Sequence, residues 1–218
     1  LARGISTRSC FDNLFSNNHG PSRGRRMTPF MSDPALHILS MVTPTANNAL
    51  QSIGVAAAVK SRPGQPIVYC GVGDGTTQQG EYLEAVGEAV RAELPVLFVI
   101  QDNKWAISTP TTGRTFFSLP DGPGETFYGL PIHYVDGRDV ETAYHAFSTI
   151  VIQIRETRGP ALVVFQVERL SSHTNADDQT IYRTVEDLSE MEEQSDPIRI
   201  AEAALLKSGL SESDLNVI

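Results

Sequence analysis

Residues 67–109 read IVYCGVGDGTTQQGEYLEAVGEAVRAELPVLFVIQDNKWAIST, and this stretch decides the fold. Its opening run Ile67-Val68-Tyr69-Cys70 is short, apolar and β-branched, and it leads into Gly71, Gly73 and Gly75. That pattern suits a strand buried on both faces that turns sharply at its end. From Gly80 to Leu94 the apolar residues Leu83, Val86, Ala89, Val90 and Leu94 recur at steps of three or four, which predicts a helix with one buried face, and Pro95 ends it. Val96-Leu97-Phe98-Val99-Ile100 then reads as a second buried strand. A strand, helix and strand of these lengths form a right-handed parallel crossover, so Asp74 and Asn103 leave the carboxyl ends of the two strands on the same edge. In an open parallel sheet that edge is where ligands bind.

Two hard oxygen donors, a carboxylate and a side-chain amide, thus converge on one crevice. Oxygen-only ligation suits Mg²⁺, which takes few protein groups and completes its octahedron with phosphate oxygens and water. Gly73, Gly75 and Thr76 are small enough to let backbone N–H groups approach a diphosphate at a helix start, where the peptide dipoles favour anions. The ligand expected from these residues is Mg²⁺-diphosphate. Gly71-Val72-Gly73-Asp74-Gly75-Thr76 is a poor dinucleotide turn, with Thr at the last position and an acid where phosphate would crowd. A P-loop is excluded because no lysine lies between Lys60 and Lys104. The residues also fit an ordinary tight turn, with Asp74 capping a helix and Asn103 in a loop.

The remainder of the chain alternates in the same way. A short helix is expected around Arg8–Phe15, followed by a Gly-, Pro- and Asn-rich loop carrying the basic cluster Arg23, Arg25 and Arg26. Ala46–Lys60 reads as a helix with small residues at Gly54, Ala56, Ala57 and Ala58. After Thr109, the Gly- and Pro-rich 110–129 reads as an irregular excursion at the ligand edge. Ile132–Val135 and Ala161–Val167 are expected strands flanking a helix from Asp139 or Val140 to about Arg158. The tail is expected to begin with a solvated acidic loop, Glu186–Asp196, and to continue as an amphipathic helix from Pro197. The alternation predicts an α/β fold with a doubly wound parallel sheet.

Composition narrows the function. The 218 residues, 40% of them hydrophobic, suffice for one domain, 1–218; without an initiating Met, and with helical-looking ends, that domain is expected to be incomplete at both ends. A net charge of −9 argues against nucleic acid as the main partner. No apolar run approaches the roughly eighteen residues of a membrane span, and no signal sequence is visible. Two cysteines, Cys10 and Cys70, point to a reducing, cytoplasm-like compartment.

The segment from Gly73 to Thr109 resembles the thiamine diphosphate motif, GDG with a later Asn, and more narrowly the α subunit of 2-oxo acid dehydrogenase E1 components. That resemblance implies the thiamine diphosphate-binding fold, with Asp74, Asn103 and the Trp105 carbonyl as Mg²⁺ ligands. It implies that Gly73, Gly75 and Thr76 meet the diphosphate, that Thr43 and Thr45 lie beside the aminopyrimidine ring, and that Ile107 is a further cofactor contact. Trp105 replaces the family's usual tyrosine, a change expected to matter little if only its carbonyl coordinates. Gln101 stands where branched-chain enzymes often carry a diphosphate-contacting arginine, and Phe30 where the family carries histidine in a segment whose start Gly24-Arg25-Arg26-Met27 matches.

The stretch Glu168–Arg183, ERLSSHTNADDQTIYR, carries the same resemblance through His173, Asp177, Asp178, Tyr182 and Arg183. Three residues between His173 and Asp177 look like the branched-chain enzymes. His173 would be the catalytic group over the thiazolium, as proton donor or oxyanion partner, while Asp177, Tyr182 and Arg183 hold the loop. Thr174 follows where animal relatives carry a regulatory phosphoserine. The resemblance implies oxidative decarboxylation of a small 2-oxo acid, acyl transfer to a lipoyl group on E2, and assembly with an E1 β subunit or β half into a heterotetramer. The glutamate that activates the aminopyrimidine comes from that β part. The compartment is then a bacterial cytoplasm or, as the alternative, a mitochondrial matrix. Alternatives for function are a pyruvate or acetoin dehydrogenase E1 α, a transketolase-like enzyme or carboligase, and a non-catalytic Mg²⁺-diphosphate binding module.

Overall fold

A computed structural model describes residues 3–26 and 30–215 of the chain. Contacts divide it into two compact units, Leu1–Asn48 and Ala49–Ile218. The first unit holds α1 (Thr7–Leu14), close to the span expected, whose start is capped by the Ser6 hydroxyl accepting from the Ser9 amide. Beyond it, Asp33 and Ile38 form an isolated antiparallel bridge. Met27, the last residue of the Gly24–Met27 match, lies outside the described residues.

After α2 (Asn47–Val59), the second unit runs β1 (Val68–Gly73), a 3₁₀ turn (Asp74–Gln78), α3 (Gly80–Arg91) and β2 (Val96–Asp102). Five short strands follow: β3 (Trp105–Ala106), β4 (Thr109–Pro110), β5 (Ser118–Leu119), β6 (Gly122–Pro123) and β7 (Thr126–Phe127). Then come β8 (Leu130–Asp136), α4 (Val140–Thr157), β9 (Ala161–Gln166), and three C-terminal helices, α5 (Val185–Gln194), α6 (Pro197–Lys207) and α7 (Glu212–Leu215).

The main sheet has the order β1-β2-β9-β8-β7, parallel from β1 through β8, with β7 added antiparallel as the edge. Its two crossovers, β1 to β2 and β8 to β9, travel toward each other across the sheet. Right-handed connections running in opposite directions place their helices on opposite faces. The side chains agree. Leu97 and Val99 of β2 lie in register with Ala161 and Val163 of β9, and these four pack with Ile150 and Ile154 of α4. Phe98, pointing the other way, meets Tyr82 of α3 edge-on with ring centroids 5.8 Å apart. The sheet is therefore doubly wound, as the alternation predicts.

Three local features differ from the sequence reading. The buried face of α3 is Tyr82, Ala85, Val86 and Ala89, so the tyrosine, not Leu83, is at its centre. Burial holds the Tyr82 phenol well above its ordinary pKa. The excursion after Thr109 is not irregular: Phe116 stacks on Phe127 at 4.0 Å and on Tyr82 at 6.2 Å, so aromatic packing fastens its short hairpins to α3. Tyr134 clamps it from the sheet by donating to the carbonyls of Phe117 and Gly124, at 2.6 and 2.7 Å. The acidic run at 186–196 is mostly helix, because Thr184 and Asp187 form a reciprocal capping box at the start of α5.

Core and cap are expected to separate in magnitude. Phe98→Ala should cost about 3–5 kcal/mol of unfolding free energy through lost burial and a cavity. Asp139→Ala removes the cap whose carboxylate accepts from the amides of Glu141 and Thr142; it should cost only about 1 kcal/mol. Urea denaturation of the two variants checks both.

Candidate functional site

The crevice is built at the carboxyl edge of β1, β2 and β9, beside the point where winding reverses between β2 and β9. Asp74 leaves β1 directly and is 2% exposed. Its backbone carbonyl accepts from the Thr77 hydroxyl at 2.6 Å, and its Oδ2 accepts from the Thr111 hydroxyl at 2.5 Å. Gly73 pairs with Gln101 in the parallel register, so Asp74 and Asp102 follow side by side and Asn103 comes next. Asn103 turns the chain, its Oδ1 accepting from the Trp105 amide at 3.0 Å. The hairpin of β3 and β4 then folds back onto the 3₁₀ turn, where a Cβ on Gly75 would come within 2.6 Å of the Ala106 Cβ. Gly75 is thus glycine because a second backbone passes there. Beside Gly73 the space is open. Gly73 caps the 3₁₀ turn and Gly75 and Thr76 lie within it rather than at the start of α3, a difference from the expected helix start.

The electrostatics of this edge favour a cation. Burial pushes the Asp102 carboxyl up; the Lys104 amide bonded to it acts against that, and the negative charge of Asp74 adds to it. Asp74 and Asp102 have no ion-pair partner among the described residues, and Lys104, two residues after Asp102, is taken by Glu168 at 2.6 Å. Two neighbouring carboxylates in a partly dry site repel unless a positive charge stands between them. With Asn103 and the Trp105 carbonyl adjacent, the donor set is all oxygen, which fits Mg²⁺. The hairpin is also strained: Lys104 and Ile107 both adopt positive φ, +67° and +58°. For a β-branched residue that conformation costs on the order of 1–3 kcal/mol and persists only where the surroundings impose it.

The His173 loop is tied to the same hairpin. One Arg169 nitrogen donates to the Ile107 carbonyl at 2.9 Å and another to the Tyr182 hydroxyl at 2.6 Å. Tyr182 in turn donates to Asp177 Oδ2 at 2.7 Å, and the same oxygen accepts from the His173 amide at 2.7 Å. The Tyr182 ring lies 5.4 Å from Trp105, and the Arg183 guanidinium sits over the Trp105 ring at 5.8 Å. The Trp105 side chain thus has a packing role of its own. Arg183 is 9% exposed and accepts this burial by stacking on Trp105 and donating to the Arg169 carbonyl at 3.3 Å. His173 itself is exposed, as is Ile107 at 53%. Arg169 and Thr111, neither of them foreseen as site residues, both help to join its parts.

Thr43 and Thr45 lie exposed in the first unit, and Phe30 is half-buried there. Gln101 is exposed at the end of β2. A polar cavity of about 440 Å³ opens on α5, lined by Trp105, Lys104, Arg138, Glu168, Arg183 and Glu190 among others; Asp74 is not part of its wall.

Fold and site together define a class: a doubly wound sheet whose switch-point edge gathers two neighbouring carboxylates, an amide turn and a histidine-bearing loop. The dehydrogenase E1 component family profile matches residues 1–216. The chain belongs to that family. It is 29% identical over 197 residues to the mitochondrial 2-oxoisovalerate dehydrogenase subunit alpha of Mus musculus, covering 89% of this chain and 44% of the relative. Against the Homo sapiens protein of the same description the identity is 28%, with the same coverage. It is 33% identical over 149 residues to the 3-methyl-2-oxobutanoate dehydrogenase subunit alpha of Mycobacterium tuberculosis, covering 68% of this chain and 40% of the relative. The chain thus spans less than half the length of these relatives, and it stands on the E1 α side of the family, as the motif spacing implies.

Two outcomes follow from the geometry. Gly75→Ala should displace the hairpin, cost about 1–3 kcal/mol in stability, and speed hydrogen exchange at the Thr111 amide, which donates to Lys104 at 2.9 Å. Hydrogen bonds from the Tyr182 hydroxyl and the His173 amide hold the Asp177 carboxyl below the ordinary carboxylate range. A lowered pKa contributes order that is complete above the unfolded value, about pH 4, and is lost as pH falls through the folded one. Limited proteolysis across 169–183 should accelerate on acidification, and Asp177→Asn should start fast and lose that pH dependence.

Proposed function

We propose that this chain is the diphosphate-binding α part of a thiamine diphosphate- and Mg²⁺-dependent 2-oxo acid dehydrogenase E1. Its reaction is the oxidative decarboxylation of a branched-chain 2-oxo acid with transfer of the acyl group to the lipoyl group of E2. Residues 1–218 are read as part of one diphosphate-binding domain. A β subunit or β half completes the active site in a heterotetramer. The bacterial cytoplasm is the proposed compartment and the mitochondrial matrix the alternative, since relatives of both origins match. The observation that carries this reading is the buried Asp74 carboxylate beside Asp102 and the Asn103–Trp105 turn, with no ion pair among the described residues.

In this reading the Asp74 and Asn103 side chains and the Trp105 carbonyl hold Mg²⁺. Backbone N–H groups at Gly73, Gly75 and Thr76 orient the diphosphate, and the open space beside Gly73 leaves room for it. Thr43 and Thr45 contact the aminopyrimidine ring, and Ile107 supports the cofactor from the hairpin. When bound, the cofactor supplies the electron sink for decarboxylation. His173 presents an imidazole N–H to the oxygen on which negative charge grows, and stabilises it there. The network through Asp177, Tyr182 and Arg169 fixes the backbone from which that imidazole reaches, so the proton is held at one place instead of many.

The test uses the full-length α chain co-expressed with its β partner and stripped of metal. Calorimetric titration with thiamine diphosphate in Mg²⁺ should show binding that Asp74→Ala abolishes and Asn103→Ala weakens at least about tenfold. Equal binding by Asp74→Ala overturns the proposal. In the same preparation, reduction of an artificial acceptor should be faster with 2-oxoisovalerate than with pyruvate, and equal rates would defeat the branched-chain assignment.

A further inference from the structure

Thr111 belongs to no ligand set, yet its side chain reaches from the hairpin to the tip of β1. Its hydroxyl donates to Asp74 Oδ2 at 2.5 Å across 37 residues of chain, and both side chains are buried, at 6% and 2% exposure. A buried threonine hydroxyl has cheaper partners. Thr77, three residues from Asp74, simply donates to a local carbonyl. Thr111 instead crosses from the hairpin to the tip of β1, while its own amide closes that hairpin on the Lys104 carbonyl at 2.9 Å. Oδ1 is the carboxylate oxygen that Thr111 does not engage.

We propose that Thr111 is a positioning residue of the cation site, holding Asp74 Oδ2 so that Oδ1 alone faces the ion. This rests on the cation reading given above and adds a selectivity to it. A carboxylate free to offer both oxygens suits Ca²⁺, whose shell is large and flexible, whereas Mg²⁺ demands a near-ideal octahedron with single, well-placed oxygens. A hydroxyl donating to Oδ2 takes one of its lone pairs and competes with two-oxygen ligation. Because Thr111 and Trp105 share one hairpin, the same contact also sets the Trp105 carbonyl relative to Oδ1. Orientation of a ligand by a hydrogen-bonding neighbour of this kind is generally worth about 10- to 100-fold in metal affinity.

The experiment uses the full-length chain with its β partner and thiamine diphosphate, with Mn²⁺ binding read by electron paramagnetic resonance and Mg²⁺ and Ca²⁺ as competitors. Thr111→Val is expected to weaken Mn²⁺ about 10- to 100-fold and to lower the preference for Mg²⁺ over Ca²⁺. Thr111→Ser, which keeps the hydroxyl, should stay within about threefold of wild type on both measures. Thr111→Cys, with a weak thiol donor of similar size, should fall between, and it decides the matter on the same readout if Thr111→Val does not assemble. Wild-type affinity and preference in Thr111→Val overturn the proposal, as does a Ser variant as poor as Val, since then the methyl group and not the hydroxyl is what counts. Asp74→Ala is run alongside. If it too binds Mn²⁺ normally, the cation site itself falls and Thr111's role with it; if it loses Mn²⁺ while Thr111→Val does not, only the role of Thr111 falls.

Discussion

Opposed winding is the constraint on which the site depends. β1 leads to β2 through α3 on one face, and β8 leads to β9 through α4 on the other, so the two halves meet at β2 and β9 without a helix crossing above that junction. The carboxyl ends of β1, β2 and β9 are then free to send Asp74, Asn103 and the His173 loop to one edge. No local propensity of those residues brings them together. Their proximity is inherited from two apolar faces on the same strands, each of which has to be covered: Leu97 and Val99 by α4, Phe98 by α3.

At that edge the chain departs from what is locally comfortable. Ile107 and Lys104 hold positive φ, Arg183 is buried without a carboxylate, and Asp74 and Asp102 stand close with no ion-pair partner among the described residues. Each departure has a restraining contact. Arg169 anchors the Ile107 carbonyl, the Trp105 ring receives Arg183, and Thr111 holds Asp74. A site in which strain, buried charge and like-charge proximity coincide is one shaped for something other than stability.

Much of the architecture could be read from residues 67–100, because a strand buried on both faces and an amphipathic helix leave period and composition signals that do not need tertiary context. Asp74 and Asn103 were legible for the same reason, since strand ends follow from strand positions. Thr111 was not. A threonine in a Gly- and Pro-rich excursion carries no local sign that its hydroxyl will cross to β1. Tyr82 was overlooked at the centre of α3 because a phenol is an uncertain core residue, and here its ring is enclosed by Phe98 and Phe116. The helix α5 was hidden by its acidity, although Thr184 followed by Asp187 is a readable capping signal. The substitution of tryptophan for tyrosine at position 105 looked neutral only while the backbone carbonyl was considered. Its ring turns out to carry the stacking that holds Arg183.

The two halves of the crevice are stabilised by different physics, and that difference bears on how they can work. Asp74, Thr77 and Thr111 are buried, fastened by short hydrogen bonds and backed by the sheet, so the Asp74 half is preorganised by packing. The His173 half is exposed, and its order comes from a chain of charged and hydroxyl groups, Arg169, Tyr182 and Asp177, in contact with solvent. Interactions of that kind are screened and individually weak, so this loop sits at the low-stability end of the molecule while the Asp74 half does not. Arg169 touches both, through Ile107 on one side and Tyr182 on the other, and Tyr182 and Arg183 against the Trp105 ring and Glu168 against Lys104 add to that link. Anything that orders the hairpin therefore also favours the loop conformation that presents His173, and coupling in that direction requires no movement of the sheet.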